Sequence, residues 1–112
     1  MARQNGDIKS LAEMFRTLAD GTRLRILLTL QDDEHNVTQL CRKLRMPQPN
    51  VSRHLSILRN SGFVVNRREG KEVFYSINDY HTDQVAGKMD RLLKKASVVR
   101  IGPVVMGLSR QR

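Results

Sequence analysis

The chain has 112 residues, which is the size of one ordinary domain and leaves little room for two independent cores. Hydrophobic residues make up 39% of it and charged residues 28%, a composition typical of a soluble globular protein. No apolar run approaches the roughly 20 residues of a membrane-spanning helix, and nothing resembles a signal peptide, so we expect a cytoplasmic protein without membrane contact. The single cysteine, Cys41, excludes an intrachain disulfide and a thiolate-only metal cage within one chain.

The formal net charge of +9 is concentrated in the middle of the chain. Residues 37–71 hold eight arginines and lysines against one acidic residue, whereas residues 1–36 hold five basic and six acidic residues. A polyanion such as double-stranded DNA is the natural partner of such a basic stretch. A charge bias alone fits an ordinary solvated face equally well, so the motifs within the stretch must decide between the two.

Two helices are predicted in the first third of the chain. Ser10 and Glu13 have the spacing of a capping box, and the apolar residues behind them recur with helical period, so the first helix is expected to begin at Ser10. Asp20 is expected to cap a second helix over residues 21–31. The polar run over residues 31–36 predicts a loop.

A helix-turn-helix is predicted over residues 37–60. A short third helix spans about residues 38–45, with Thr38 as its expected cap, and Pro47 lies in the break because residues before a proline avoid the helical region. A fourth helix then covers residues 49–60. Two short helices across a tight break, in the most basic part of the chain, are typical of a helix-turn-helix.

The hydrophobic period then changes from 3.6 to 2, which predicts a β-hairpin with a basic tip over residues 63–77. A last helix is predicted over residues 81–97. The tail over residues 97–112 mixes apolar residues with glycine and proline and receives no assignment. We therefore expect a single domain, mainly α with a small β-hairpin.

The fourth helix is expected to have one apolar and one polar face. At about 100° per residue, Val51, Leu55 and Leu58 share one direction, which must be that of the core. The polar side chains elsewhere on this helix include Gln48, Asn50, Arg53 and Ser56. Arginine pairs with guanine, and asparagine or glutamine with adenine, in the major groove of DNA. The pattern favours a helix that contacts base edges over an ordinary polar surface.

Three segments, in the same order, resemble signatures of the ArsR/SmtB family of bacterial repressors. Residues 19–27, ADGTRLRIL, are similar to the family's second helix, although the family more often has proline in place of Gly21. Residues 48–55, QPNVSRHL, are similar to its recognition helix, and residues 68–77 to its wing. The resemblance covers residues 8–96 and implies a winged helix-turn-helix homodimer, joined through the first and last helices, that represses transcription until an inducer binds.

The resemblance also implies roles for individual residues. It gives the DNA-reading role to Gln48, Asn50, Ser52 and Arg53. It gives the wing contacts with phosphate to Arg67, Arg68 and Lys71. The expected DNA-binding set is completed by Thr38 and Ser56.

The thiolate-type metal site of the family is incomplete in this chain. Such members carry a Cys-x-Cys pair at the start of the third helix, where this chain has Asn36 and Thr38. Cys41 remains, and one thiolate does not make a soft-metal site. Because it lies on the apolar side of its helix, we expect Cys41 to be a buried structural thiol.

The zinc-type site is also incomplete. Asp79 and His81 match the Asp-x-His pair that opens the last helix, but the second half of the site falls on Leu92 and Lys95. Zinc takes four ligands, or three with an open position. We therefore expect no metal cofactor and leave the inducer, metal or small molecule, unknown. A metal sensor that combines Asp79 and His81 with further ligands stays an alternative.

The leading hypothesis is a homodimeric repressor that binds an inverted-repeat operator with the helix at residues 49–60 in the major groove. The alternative is an architectural or non-specific DNA-binding protein, which would need only basic residues and backbone amides. No Gly-rich phosphate loop, paired-carboxylate pattern or nucleophile motif indicates an enzyme.

Overall fold

The computed structural model describes the backbone of residues 2–100 and the side chains of residues 6–94. The described chain forms five helices and three short strands. In order they are α1 (Ala2–Leu18), α2 (Gly21–Asp32), β1 (His35–Asn36), α3 (Val37–Leu44), α4 (Gln48–Asn60), β2 (Val64–Glu69), β3 (Glu72–Ile77) and α5 (Asp79–Arg100). The unassigned tail therefore begins inside α5, and residues 101–112 lie outside the described part.

A single cluster of buried apolar side chains joins the five helices to the base of the sheet. Its members are Leu11, Ile26, Leu30, Leu40, Leu44, Val51, Leu55, Leu58, Phe63, Val64 and Val85. The three members from α4 are at most 1% exposed, so the inward face predicted for this helix is confirmed. Burying a side chain of this size contributes about 1.5–3 kcal/mol, which fixes α4 firmly on the core.

The predicted start of the first helix is wrong. Helix α1 begins at Ala2, so Ser10 and Glu13 lie inside it rather than at its end. A capping box is useful only where the first amides lack carbonyl partners, and here the preceding turns supply those carbonyls. The glycine at position 6 lowers helix propensity by only about 1 kcal/mol and does not stop the helix.

The caps of the next two helices differ in how well the sequence predicted them. Asp20 caps α2 as expected, because its Oδ1 accepts hydrogen bonds from the amides of Thr22 (2.9 Å) and Arg23 (3.1 Å). The cap of α3 is Asn36 and not Thr38. Asn36 Oδ1 accepts from the Gln39 amide, and Gln39 Oε1 accepts from the Asn36 amide, each at 2.8 Å. This reciprocal capping box starts the helix earlier than predicted.

The predicted hairpin forms the larger part of a three-stranded antiparallel sheet in the order β1-β3-β2. Strands β2 and β3 pair from Val64↔Ile77 to Glu69↔Glu72, and Gly70, with φ of +64°, opens the two-residue turn. Glycine suits a turn position with positive φ because it has no Cβ. Strand β1, which pairs with β3, was predicted as loop because two polar residues carry no periodic signal.

Helix α5 begins at Asp79, two residues before the predicted start. Asn78 anchors this end, since its Oδ1 accepts from the His81 amide (3.3 Å) and its own amide donates to the Phe63 carbonyl (2.9 Å). Within residues 2–100, no helix combines the length and the apolar character needed to cross a membrane.

Candidate nucleic-acid interface

The break between α3 and α4 is a three-residue turn with a defined conformation. Arg45 adopts a left-handed conformation (φ 56°, ψ 49°) and closes α3, while the Met46 amide donates to the Cys41 carbonyl at 3.1 Å. Pro47 follows in an extended conformation and provides the N-cap of α4 without a side-chain hydrogen bond. This turn reorients the chain, so that α4 starts afresh with its N-terminal residues exposed.

The outer face of α4 carries polar side chains that make no hydrogen bond or ion pair with any other described side chain. Gln48, Asn50, Arg53 and Ser56 are exposed, and Ser52 is half-buried. Their donors and acceptors therefore face solvent, while the opposite face of the helix is held in the core. No acidic residue lies between Gln48 and Asn60. Such a surface can approach a nucleic acid without losing internal contacts.

A polar network behind α4 fixes the helix against the start of α2. The Arg23 guanidinium donates through Nη1 to His54 Nδ1 at 3.2 Å and through Nε to the Thr17 carbonyl at 2.6 Å. Asp20 Oδ1 lies 4.0 Å from the same His54 nitrogen. The hydrogen bond from the Arg23 amide is the main reason why the pKa of Asp20 is lowered. His54 therefore packs between α4 and the start of α2.

The tip of the wing carries Arg68 and Lys71, which are both exposed. Arg68 Nε donates to the carbonyl of Gly70 at 3.2 Å, which holds the arginine beside the turn. Lys71 has no hydrogen bond or ion pair with another described residue. Both cations thus remain outside any ion pair within residues 6–94.

Arg67 has a different environment from its neighbours on the wing. Its Nε and Nη2 donate to the two carboxylate oxygens of Glu34 at 2.9 and 2.6 Å, and its Nη1 donates to Glu69 Oε1 at 2.7 Å. Its guanidinium carbon lies 4.9 Å from the centre of the Phe74 ring. The Arg67 hydrogen bond lowers the pKa of Glu34, and the two carboxylates raise that of Arg67.

Sequence reasoning missed Glu34 altogether. It precedes β1 and lies 33 positions from Arg67, inside a polar run that predicts only a loop. No spacing rule connects a loop residue with a strand so distant in sequence. The only available signal is the charge complementarity of an acidic loop and a basic hairpin, which does not select a pair.

The structure does not bring the candidate metal ligands into one site. The His81 ring packs edge-on against Phe63, with 4.8 Å between ring centres, and its buried Nε2 has no hydrogen-bond partner. Cys41 packs against the core but is half-buried rather than buried as predicted. Among the described residues, no three His, Cys, Asp or Glu side chains are grouped so as to hold a metal ion.

His35 is also occupied by local contacts. Its side chain is buried, and its Nδ1 lies 2.8 Å from the Asp33 carbonyl oxygen. Its Nε2 lies 2.9 Å from Lys43 Nζ. Because an ammonium group can only donate, Nε2 accepts and Nδ1 carries the proton that the Asp33 carbonyl accepts. His35 thereby connects β1 with α3.

Comparisons with known proteins agree with this architecture. The sequence model of the family described as "Bacterial regulatory protein, arsR family" matches residues 20–65. The arsenical resistance operon repressor of Escherichia coli K12 is 37% identical over 100 residues, which cover 88% of this chain and 85% of that protein. The HTH-type transcriptional regulator KmtR of Mycobacterium tuberculosis is 40% identical over 75 residues, which cover 67% of this chain and 58% of KmtR.

Solved structures extend the agreement to the fold. Reduced HlyU from Vibrio cholerae superposes with a TM-score of 0.68 at 28% identity, over 82% of this chain and 97% of HlyU. The fold and these relatives define a winged helix-turn-helix transcriptional regulator, a class without enzymatic activity. The chain belongs to the ArsR family of bacterial regulatory proteins, as the resemblance of its three motifs implied. It spans little more than half the length of KmtR, whereas it spans most of the E. coli repressor.

Proposed function

We propose that this chain is a sequence-specific DNA-binding repressor that places α4 in the major groove. The observation that carries the proposal is the outer face of α4, where amide and guanidinium groups face solvent on a helix anchored by three buried side chains. The residues assigned to base reading are Gln48, Asn50, Ser52 and Arg53, and Ser56 and Thr38 complete the proposed DNA-binding set. Bidentate pairing by such side chains distinguishes one base from another.

The wing supplies the part of the affinity that does not depend on sequence. Arg68 and Lys71 lie at the hairpin tip, outside ion pairs with other described residues, and are assigned to backbone phosphates. Phosphate contacts fix the position of a protein on the duplex but carry no sequence information of their own. Arg67 belongs to the same basic wing, although its guanidinium already engages Glu34 and Glu69.

The active form is proposed to be a homodimer. Large apolar side chains remain exposed on three helices of the described chain. They include Ile8 and Phe15 on α1, Leu24 and Leu28 on α2, and Leu93 on α5. Ile8 and Phe15 are seven residues apart and share a face of α1, and Leu24 and Leu28 are four residues apart and share a face of α2. A second copy of the chain could cover these faces together. A two-fold dimer would read half-sites roughly 34 Å apart in an inverted repeat.

Light scattering at micromolar concentration, without DNA, tests the dimer. We expect twice the mass of one chain. Substitution of Leu28, the most exposed of these apolar residues on α2, by glutamine should shift the equilibrium towards monomer if α2 belongs to the interface. A wild-type monomer under these conditions would contradict the dimer.

Gel shifts at one stated salt concentration test the proposed function directly. The probe is a duplex of about 30 base pairs selected by the wild-type protein from a random library, with a scrambled duplex of the same composition as control. We expect the selected duplex to bind at least about a thousandfold more tightly, the lower end for specific proteins. Equal affinity for both would favour the alternative of an architectural, non-specific DNA-binding protein.

A further inference from the structure

The contact between Glu34 and Arg67 joins the two edges of the sheet. Glu34 immediately precedes β1, Arg67 lies in β2, and β3 runs between them. Neighbouring strands are about 4.8 Å apart, so the side chains of Arg67 and Glu34 together span about 10 Å. It does so over Phe74, the residue of β3 that pairs with Arg67. The aromatic ring supports the flat guanidinium from below.

This contact supplements a weak strand pairing. Strand β1 pairs with β3 through only two residues, His35 and Asn36. Next to it, the Asn36 side-chain amide donates to Glu72 at the start of β3. Two side-chain contacts, from Glu34 and Asn36, therefore attach the hairpin to the segment before α3. They add to the two ladder positions and to the buried base of the hairpin at Phe63 and Val64.

The same segment starts the helix-turn-helix. Asn36 caps α3 through its capping box with Gln39, and α3 packs on α4 through the core. A displacement of Glu34 relative to Arg67 therefore changes the position of the wing relative to α4. The pair therefore links the wing to the segment that starts the helix-turn-helix.

We propose that Glu34 is a positioning residue for DNA binding, which holds the wing through Arg67 so that Arg68 and Lys71 meet phosphates while α4 occupies the major groove. The inference rests on the proposed function. Arg67 faces two carboxylates, and displacing them for a phosphate would leave two uncompensated negative charges beside DNA. Its function is therefore to orient the wing rather than to neutralise a phosphate.

The proposal and simple electrostatics predict opposite changes in DNA affinity when the Glu34 carboxylate is removed. A carboxylate near the binding surface repels the DNA backbone, so its removal should strengthen binding if charge alone matters. If Glu34 positions the wing, Glu34→Gln instead weakens binding, because glutamine loses the charged, bidentate pair with arginine. Asp32→Asn is the matched control, since Asp32 is an exposed carboxylate two positions away with no ion pair among the described residues.

The experiment compares wild type, Glu34→Gln and Asp32→Asn on the duplex selected by the wild-type protein. We expect Glu34→Gln to bind about threefold to tenfold more weakly, in line with the modest strength of exposed ion pairs and the loss of an aligned tip. Asp32→Asn should bind equally well or slightly better. Equal or tighter binding by Glu34→Gln would overturn the inference.

Arg67→Lys separates orientation from charge, because lysine keeps the charge but lacks the planar fork that grips a carboxylate. We expect this variant to bind as weakly as Glu34→Gln. Wild-type affinity of Arg67→Lys would assign Arg67 to phosphate and overturn the inference. In a double-mutant cycle, Lys71→Ala should lose part of its effect when combined with Glu34→Gln, whereas independent, additive effects would also contradict a shared wing.

Two measurements without DNA keep the result interpretable. Thermal unfolding followed by circular dichroism establishes that both Glu34→Gln and Arg67→Lys fold. Hydrogen exchange should be faster at the amides of residues 64–77 in Glu34→Gln than in Asp32→Asn, and unchanged exchange would count against the inference. If the wild type itself does not prefer the selected duplex, the proposed function fails; if it does and Glu34→Gln matches it, only the inference fails.

Discussion

Helix α4 and the wing are both basic and both proposed to touch DNA, yet they use their polar side chains differently. The outward residues of α4 have no partners among the described side chains, and the helix is held by Val51, Leu55 and Leu58 behind them. In the wing, Arg67 is held by Glu34 and Glu69, while Arg68 bonds to the backbone of its own turn. Helix α4 is positioned by three buried side chains along its length, whereas the wing is buried only at its base, around Phe63 and Val64, so its surface ion pairs contribute more to its position.

This difference explains why the number of basic residues overstates the charge available to a ligand. The basic stretch of the sequence contains three cations in the wing, but one of them is neutralised by two carboxylates within the protein. The exposed polar residues on the outer face of α4 carry fewer charges than the wing, but they present more neutral hydrogen-bonding groups to solvent. We therefore expect the helix to determine specificity and the wing to determine salt-dependent affinity.

The largest expected effect concerns Arg53 at the centre of the outer face of α4. Arg53→Ala should weaken binding to the selected duplex by about 1–3 kcal/mol, because a bidentate contact with a base edge is lost. Binding to scrambled DNA should fall far less. Fluorescence anisotropy titrations of both duplexes at the same salt concentration measure the two losses.

Arg59→Ala is the matched control for this measurement. Arg59 is an exposed arginine on the same helix, six residues further on, and its removal changes the net charge by the same amount. We expect it to affect both duplexes similarly and weakly. If Arg53→Ala weakened binding to both duplexes equally, α4 would not determine sequence specificity, and the proposed difference between α4 and the wing would be wrong.

A smaller and more uniform effect is expected at the tip of the wing. Arg68→Ala and Lys71→Ala should each weaken binding to selected and scrambled duplexes alike, because a phosphate contact carries no sequence information. The slope of log affinity against log salt should become shallower by about one for each variant. Titrations at several salt concentrations give this slope, and an unchanged slope would show that the tip does not contact phosphate.

The two regions also differ in how far the sequence could predict them. The inward face of α4 follows from helical periodicity, a local rule that depends only on residues three or four apart. The Asp20 cap is equally local. Strand β1 and the Glu34–Arg67 pair depend on contacts between segments that are more than 30 residues apart in sequence. A two-residue strand and an acidic loop leave no periodic signal, so the contact that orients the wing was beyond local rules.

Thr38 and Ser10 show the opposite case. Both satisfy a local rule for helix caps, but other interactions determine where their helices begin. Thr38 is a reasonable cap by residue type, but Asn36, two residues before it, accepts from the Gln39 amide instead. The pairing of β1 keeps the backbone of Asn36 extended, as an N-cap requires. Ser10 has the right partner at the right spacing, but the helix has already begun. Cap residues predict helix ends only when the preceding segment is not itself structured.

The smallest expected effect is the response of the wing to acid. The hydrogen bond from Arg67 lowers the pKa of Glu34 below its ordinary value of 4.5. A carboxylate whose pKa is lower in the folded state stabilises that state fully above its unfolded pKa, and this contribution is lost as the pH falls through the folded value. Near neutral pH we therefore expect no change in the wing, and below about pH 4.5 a progressive release of Arg67. An NMR titration of the Glu34 side-chain carboxyl and the Phe74 ring measures both partners.

Glu34→Gln should abolish the acid-dependent shift of the Phe74 ring, while the Asp20 cap, whose pKa is also lowered, should titrate unchanged. Titration of Glu34 at or above its ordinary pKa would show that the wing is not held by this pair in solution, and the contrast between a helix fixed by its core and a wing fixed by its charges would then lose its basis.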